Sequence, residues 1–417
     1  MAAALAAAIA GAPPRGLDKA FLDAAVEDAR EALAKVYSAI ARDELGCGVR
    51  TGTYALATRV GPVDVAYPYT PGRGGFSKVR GLLGAGGAGE AKATASARDV
   101  VARSCALLGS FAEAAAYAAS IGGVAVSTGT ARKICLAEAA KAEHALDAGT
   151  AAREPQPRRP LPKGARAVPP TVAVFADGTG APCVARDTRG VAGRNGGEAG
   201  TRELKVLAAA LYDHVDEKGR PLVRRGDAIY RATWRSAAEA GPMLRRMADE
   251  LAGGAKVRLQ FMTDGAAWGE SMHGMEFCDA VRTVDFYHGC QYLHEVVAAA
   301  VQAGKVRQVY GIYRAMMMRK GGAATCESLL RNHGGEINAA DFPAAKAFAY
   351  LMARRDALAY GRLRRQGFFV GSGMIESACK FTVGARCKQA GMHWRHRNAA
   401  AVANLRAFLR SFRKIPA

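Results

Sequence analysis

Three short β-branched or aromatic runs in this chain each end in an aspartate. Residues 171–176 (TVAVFA) end at Asp177, residues 256–263 (KVRLQFMT) at Asp264, and residues 280–284 (AVRTV) at Asp285. A carboxylate at a strand end faces solvent while the sheet holds its backbone. Glycine follows both Asp177 and Asp264, which lets the chain turn away and clears the space in front of each acid. Asp-Gly on its own is commonly just a turn. Two of them, each closing an apolar strand, predict a pair of rigid oxygen ligands for a hard divalent cation such as Mg²⁺. A third acid comes from residues 368–386 (FFVGSGMIESACKFTVGAR). There Ser372 is placed to cap a helix and Glu376 falls on its early turns, where the helix dipole favours a carboxylate. His288 follows Asp285 closely and either orients a phosphate or water near such a site or closes a strand–helix junction.

The elements that must hold these residues read as an α/β domain. Strand-like runs alternate with helical stretches, notably residues 204–214, 237–251 and 291–303. Upstream, residues 149–170 (GTAAREPQPRRPLPKGARAVPP) hold six of the chain's 16 prolines with basic residues between them, a composition that cannot carry helical hydrogen bonds. This segment reads as a linker between an N-terminal region, 1–148, and a C-terminal domain, 171–417. The N-terminal region reads as a helix over 17–44, alternating strand-like residues over 50–69, a glycine-rich loop over 71–89, and helices from 96 onward. Residues 96–146 break at Gly122-Gly123, and Ser127 or Thr128 is placed to cap the next helix, a helix-turn-helix-like pattern. Thr128, Thr130, Arg132 and Lys133 then lie on the first turns of a recognition helix, where groove contacts are made. An ordinary helical bundle fits the same pattern.

Charge points towards a polyanion. The 417 residues contain 58 Lys+Arg against 37 Asp+Glu, for a formal charge of +21. Nucleic acid or an anionic surface is the natural partner of such a balance. From residue 354 to the end there are 14 basic residues and two acids. Lys380, Arg386, Lys388, Arg395 and Arg397 recur along that stretch, suited to gripping phosphates by counterion release. Trp394 lies among them and is a candidate to stack on an extruded base, whereas Trp268 reads as core. The nine cysteines are scattered with no Cys-x-x-Cys pair, which argues against a disulfide framework and against a cysteine-only zinc site. The Ala-rich start, residues 1–12, stops at Pro13-Pro14 and is too short for a membrane span. A cytoplasmic protein is expected.

Two acids from strands and one from a later helix match the DDE arrangement of RNase H-like nucleases and transposases. More specifically, the motifs DGT, TDGAAW, VDFYHGCQYL and GSGMIESACKFTVGARCKQAGMHW followed by NAAAVANLRAFLRS resemble the ISKra4 family of insertion-sequence transposases. The similarity spans roughly residues 171–411, with a weaker echo in FAEAAAYAASIGGVAVSTGTARK. It implies an α/β RNase H-like catalytic domain with a helical insertion at about 290–365, preceded by a mainly helical DNA-binding region. It further implies a metal-binding and catalytic triad of Asp177, Asp264 and Glu376, supported by Asp285 and His288. That triad would hold two Mg²⁺ ions, with Mn²⁺ as substitute. The expected activity is hydrolysis at terminal inverted repeats of double-stranded DNA followed by 3′-OH strand transfer, by a homodimer or higher oligomer on the prokaryotic nucleoid. Two features depart from the family pattern. No cysteine lies between Cys47 and Cys105, where members often carry a zinc-ribbon-like element, so no zinc is expected. The sequence also ends on LRSFRKIPA, where relatives commonly continue with a Trp-containing tail. A catalytically inactive or domesticated DNA-binding protein, and an RNase H-like nuclease without transposition, are the alternative readings.

Overall fold

A computed structural model describes residues 19–46, 48, 50–70, 92–151, 153, 160–193, 196–224, 226–333 and 342–412. The Ala-rich start, the glycine-rich stretch 71–89 and residues 154–159 of the proline-rich segment lie outside the described residues. The chain divides into two compact units between His144 and Ala145. No helix among the described residues is long and apolar enough to cross a membrane.

The first unit begins with α1 (Lys19–Leu45) against an antiparallel hairpin of β1 (Arg50–Thr58) and β2 (Gly61–Tyr69). Burial alternates along both strands, as a sheet covered on one face requires. Tyr54, Leu56, Val63, Val65 and Tyr67 form that buried face with Ala41 of α1. Three helices follow: α2 (Ala95–Leu107), α3 (Phe111–Ser120) and α4 (Thr128–Asp147). Their starts match the polar residues that precede them. Thr94 caps α2, Ser110 and Glu113 form a reciprocal capping box on α3, and the Ser127 hydroxyl accepts the Thr130 N–H at 3.1 Å on α4. The turn between α3 and α4 contains Gly123 at φ 69°, a left-handed conformation that favours glycine. A buried Arg98–Glu138 ion pair at 3.1 Å ties α2 to α4.

The second unit is mixed α/β around one five-stranded mixed sheet, ordered β5-β4-β3-β6-β7. Its strands are β3 (Arg166–Pro182), β4 (Thr201–Val215), β5 (Ala228–Thr233), β6 (Arg258–Thr263) and β7 (Val281–Val284). β3, β4 and β5 pair antiparallel, and β6 and β7 run parallel to β3. A short α5 (Ala185–Thr188) follows β3, and α6 (Ala237–Ala252) packs on β4, β3 and β5. Residues 204–214, expected to be helical, are instead the core of β4. Ala208, Ala209 and Ala210 there are fully buried between β3 and β5. A central strand covered on both faces reads as a continuous apolar run, which periodicity cannot tell from a buried helix. The linker is also shorter than expected, because β3 starts at Arg166. The β3–β4 register slips between Ala167 and Thr171, and Pro169 and Pro170 fall in that bulge, where a missing N–H costs no ladder bond.

After α7 (Ala267–Glu276) and β7, the described residues between 286 and 365 carry five helices: α8 (Phe286–Ala300), α9 (Val306–Lys320), α10 (Gly322–His333), α11 (Phe342–Ala353) and α12 (Tyr360–Arg365). They enclose their own core, with Leu293, Val297, Met317, Leu329, Leu351 and Leu358 all fully buried. The chain then runs through α13 (Gly373–Cys379), a π-helical turn at Lys380–Gly384, α14 (Ala385–Cys387) and α15 (His396–Ser411). α13 packs on β3 and β4, and α15 on β5.

Candidate active site

The parallel register lines up three aspartates. Phe175 pairs with Met262, so two residues further on Asp177 and Asp264 stand level on neighbouring strands. Thr263 pairs with Val284, so Asp264 and Asp285 stand level one residue beyond. Adjacent strands are about 4.8 Å apart, and the row therefore forms one carboxyl edge along β3, β6 and β7. The Asp-Gly turn holds at Asp264. Gly265 has φ 88°, and a Cβ there would run into the Tyr350 hydroxyl. It does not hold at Asp177. β3 continues through Gly178 to Pro182, paired with β4 throughout, so Asp177 lies inside a strand rather than at its end. What opens the space beside Asp177 is the end of β6 on its other flank.

The charges on this edge feel one another. Burial raises the Asp177 carboxyl above the usual carboxylate range. The Cys379 thiol at 3.5 Å and the Gly178 N–H at 2.7 Å pull it back, and the Asp264 charge pushes it further up. Asp264 Oδ1 accepts the Ala266 N–H at 2.9 Å, and its Oδ2 accepts no hydrogen bond among the described residues. His288 is raised above its ordinary value first by its contact with Asp285, Nδ1 to Oδ2 at 3.2 Å, and also by the charges of Asp264 and Asp177.

Asp285 is fully buried, so it does not face solvent or touch DNA. It acts as a junction. Oδ2 accepts the His288 N–H at 2.9 Å, capping α8, and Oδ1 accepts the Ser372 N–H at 2.6 Å. Burial alone would raise this carboxyl, yet these donors outweigh it and hold it below the usual range. Ser372 stands at the N-cap of α13 but makes no side-chain cap. Its hydroxyl donates to Glu376 Oε1 at 2.7 Å instead. Asp285, Ser372 and Glu376 are thus one connected chain from the sheet edge to the third acid. The strand-like segment before α13 is pinned by the buried Gln260 amide, which donates to the Phe369 carbonyl at 2.7 Å and accepts the Phe369 N–H at 3.0 Å.

For a divalent cation the donors have the right chemistry: carboxylate oxygens, two at neighbouring strands, one of them raised chiefly by burial and further by its neighbour's negative charge. Among the described residues, no group of three His, Cys, Asp or Glu is close enough to hold an ion. The convergence extends to the Asp177–Asp264 pair, while Glu376 is exposed on α13 and its carboxylate is engaged by Ser372.

The basic residues separate into two groups. Lys380, Lys388, Arg395 and Arg397 are exposed. Lys388 reaches the Thr179 hydroxyl at 2.7 Å, just beyond Asp177 on β3. Arg395 pairs with Asp187 at 3.1 Å. Arg386 and Trp394 are corrections to the sequence reading. Arg386 is fully buried with its guanidinium 5.0 Å from the Trp394 ring centre, and Trp394 is 8% exposed with its indole N–H donated to the Cys387 carbonyl. Neither is placed to contact DNA, because each supports the interior of the segment after α13. Trp268 is half-buried, with the Lys205 ammonium over its ring at 5.5 Å. In the first unit Thr128, Arg132 and Lys133 are exposed on the opening turns of α4, and Thr130 is half-buried against Ser127. The sequence reading missed the roles of Cys379, Gln260 and the Ser372 hydroxyl. Only the closeness of Ser372 and Glu376 in sequence hinted at the last of these. Neither a family model nor a curated protein matches the chain.

Proposed function

We propose that the chain is a DDE transposase of the kind its motifs resemble, the ISKra4 family, with an RNase H-like catalytic domain in its second unit. The observation that carries the reading is the carboxyl edge: Asp177 and Asp264 in register on β3 and β6, with Glu376 tied to the same edge through Ser372 and Asp285. The five-stranded mixed sheet with a helical insertion before α13 is compatible with that fold.

In this reading Asp177, Asp264 and Glu376 hold two Mg²⁺ ions, or Mn²⁺ in their place. Glu376 completes the set by a side-chain rotation that its exposure permits. Two ions held there would supply Lewis-acid chemistry, making the attacking oxygen more nucleophilic and offsetting the charge on the phosphate and leaving oxygen. The chain's own groups do the rest. Asp285 fixes the His288 ring and, through Ser372, restrains Glu376. His288, its ring raised above the ordinary value chiefly by its bond to Asp285, offers a ring N–H to a phosphate oxygen. Lys380 and Lys388 hold the DNA backbone next to the acids. Water attacks phosphorus at the transposon end and the P–O3′ bond breaks, leaving a 5′-phosphate and a 3′-OH. That 3′-OH then attacks a target phosphodiester, a new P–O3′ bond forming as the target's own P–O3′ bond breaks and its 3′-oxygen leaves as a 3′-OH. Thr128, Thr130, Arg132 and Lys133 read the terminal repeats of double-stranded DNA, and two or more copies bridge the two ends on the nucleoid.

The test is metal-dependent cleavage of duplex DNA carrying the element's ends. Asp177→Asn, Asp264→Asn and Glu376→Gln should each lower Mg²⁺- or Mn²⁺-dependent cleavage by on the order of 10³-fold or more, the scale of several kcal/mol of lost charge stabilisation. Binding of the same duplex should persist, since no phosphate contact is removed. Wild-type cleavage by any one variant removes that residue from the site.

A further inference from the structure

Beyond Asp177, β3 and β4 continue as a paired ribbon through Pro182. Five residues at about 3.3 Å each carry it about 17 Å past the acid. Alongside it is a groove of about 570 Å³ lined by Arg186, Arg189, Arg202, Trp234, Arg395 and Arg397. We propose that this groove is a subsite for a single strand of DNA, with its arginines on the phosphates and Trp234 as the platform for an unpaired base.

Charge is the first support. Five arginines face one carboxylate, Asp187, which is itself consumed. Its oxygens accept Arg395 Nε at 3.1 Å and the His396 backbone N–H at 2.7 Å, and its backbone carbonyl accepts Arg202 Nη1 at 2.8 Å. Arg186, Arg189 and Arg397 have no carboxylate partner among the described residues. A basic face that served solubility alone would not be gathered into a concavity around an anchoring acid. The aromatic ring is the second support. Trp234 is 38% exposed, carries the Arg397 guanidinium 4.5 Å from its ring centre, and meets His396 edge-on. Bare phosphate gains nothing from a ring, whereas a base stacks on one regardless of sequence. Position is the third. Trp234 follows Thr233, which pairs with Lys205 level with Gly178, and Arg202 stands opposite Ala181, so the groove flanks the ribbon from close to Asp177 to its end and a strand leaving the acid edge enters it directly. An unpaired strand fits better than a duplex, because only an unpaired base exposes its face to Trp234.

The inference rests on the transposase reading for the choice of DNA among polyanions, and its test is separable from that reading. The full chain is titrated in EDTA against a fluorescent oligothymidylate strand, against the matching duplex, and against inorganic phosphate as competitor. Trp234→Ala should weaken single-strand binding about ten-fold and leave duplex binding unchanged. Trp234→Phe, which keeps a stacking ring, should restore most of the loss. Arg186→Ala with Arg189→Ala should flatten the salt dependence by about 0.7 for each phosphate that is no longer neutralised. Equal single-strand affinity for wild type and Trp234→Ala, or displacement by millimolar phosphate, overturns the subsite. Those results leave cleavage at the acid edge untouched. Conversely, a chain that binds the strand through Trp234 but cuts no DNA with Mg²⁺ keeps the subsite and loses the transposase reading.

Discussion

At the scale of single residues, Asp285 organises more of the site than any candidate ligand. It is fully buried, has both oxygens engaged, and links His288 to Ser372 and so to Glu376. The aspartate row was legible from sequence because apolar runs ending in Asp are a local pattern. Asp285 caps α8 through the His288 N–H, a role that the sequence reading did not assign to it. Arg386 and Trp394 were not legible, since charge and ring size say nothing of depth. Only packing reveals that each fills the other's interior space. His288 carries a pH signature. Its folded value is raised above the ordinary one, chiefly by Asp285. Its contribution to stability is therefore fully present below about pH 6.5 and lost as pH rises through the raised value. His288→Gln should narrow the stability gap to wild type as pH increases through that window, measured by denaturant melts. An NMR titration should find the His288 ring shifted down in Asp285→Asn. A gap that does not change with pH, or an unshifted ring, contradicts the pairing.

At the scale of elements, the register of β3, β6 and β7 does the positioning, and the 368–370 segment delivers α13. Capping residues and Pro/Gly punctuation made the helices of the first unit legible, because those signals are local. β4 was misread because its alanines suit a helix and only the flanking strands make it a sheet element. The extension of β3 past Asp177 was likewise invisible, since it depends on pairing with residues 201–206. Gln260 is the element-level test. Its amide satisfies both backbone groups of Phe369 and also donates to the Thr283 hydroxyl at 2.9 Å. Gln260→Leu removes the partner of the half-buried Phe369 backbone groups and of the buried Thr283 hydroxyl, and should cost about 1–3 kcal/mol of stability in the second unit. It should also lower cleavage without weakening duplex binding, because α13 loses its fixed approach while the basic surface stays. Unchanged melting of the variant contradicts the role given to that clasp.

At the scale of the whole molecule, an excess of 21 positive charges accompanies two compact units. The division falls inside α4, between His144 and Ala145, rather than in the proline-rich stretch. Asp147, already in the second unit, pairs with Arg231 at 2.5 Å and Arg235 at 3.0 Å. Proline marks where a helix cannot continue, whereas a unit boundary follows long-range packing that no local signal encodes. Basic residues run through both units, yet two of the acids of the proposed chemistry, Asp177 and Asp264, stand level on one sheet edge. Mn²⁺ binding followed by electron paramagnetic resonance measures directly whether that edge holds divalent cations. Wild-type chain should bind Mn²⁺ competitively with Mg²⁺, and Asp264→Asn should lose that binding while its melting curve stays within about 1 kcal/mol of wild type. Mn²⁺ bound as tightly by Asp177→Asn and Asp264→Asn as by wild type would contradict a metal site at the carboxyl edge.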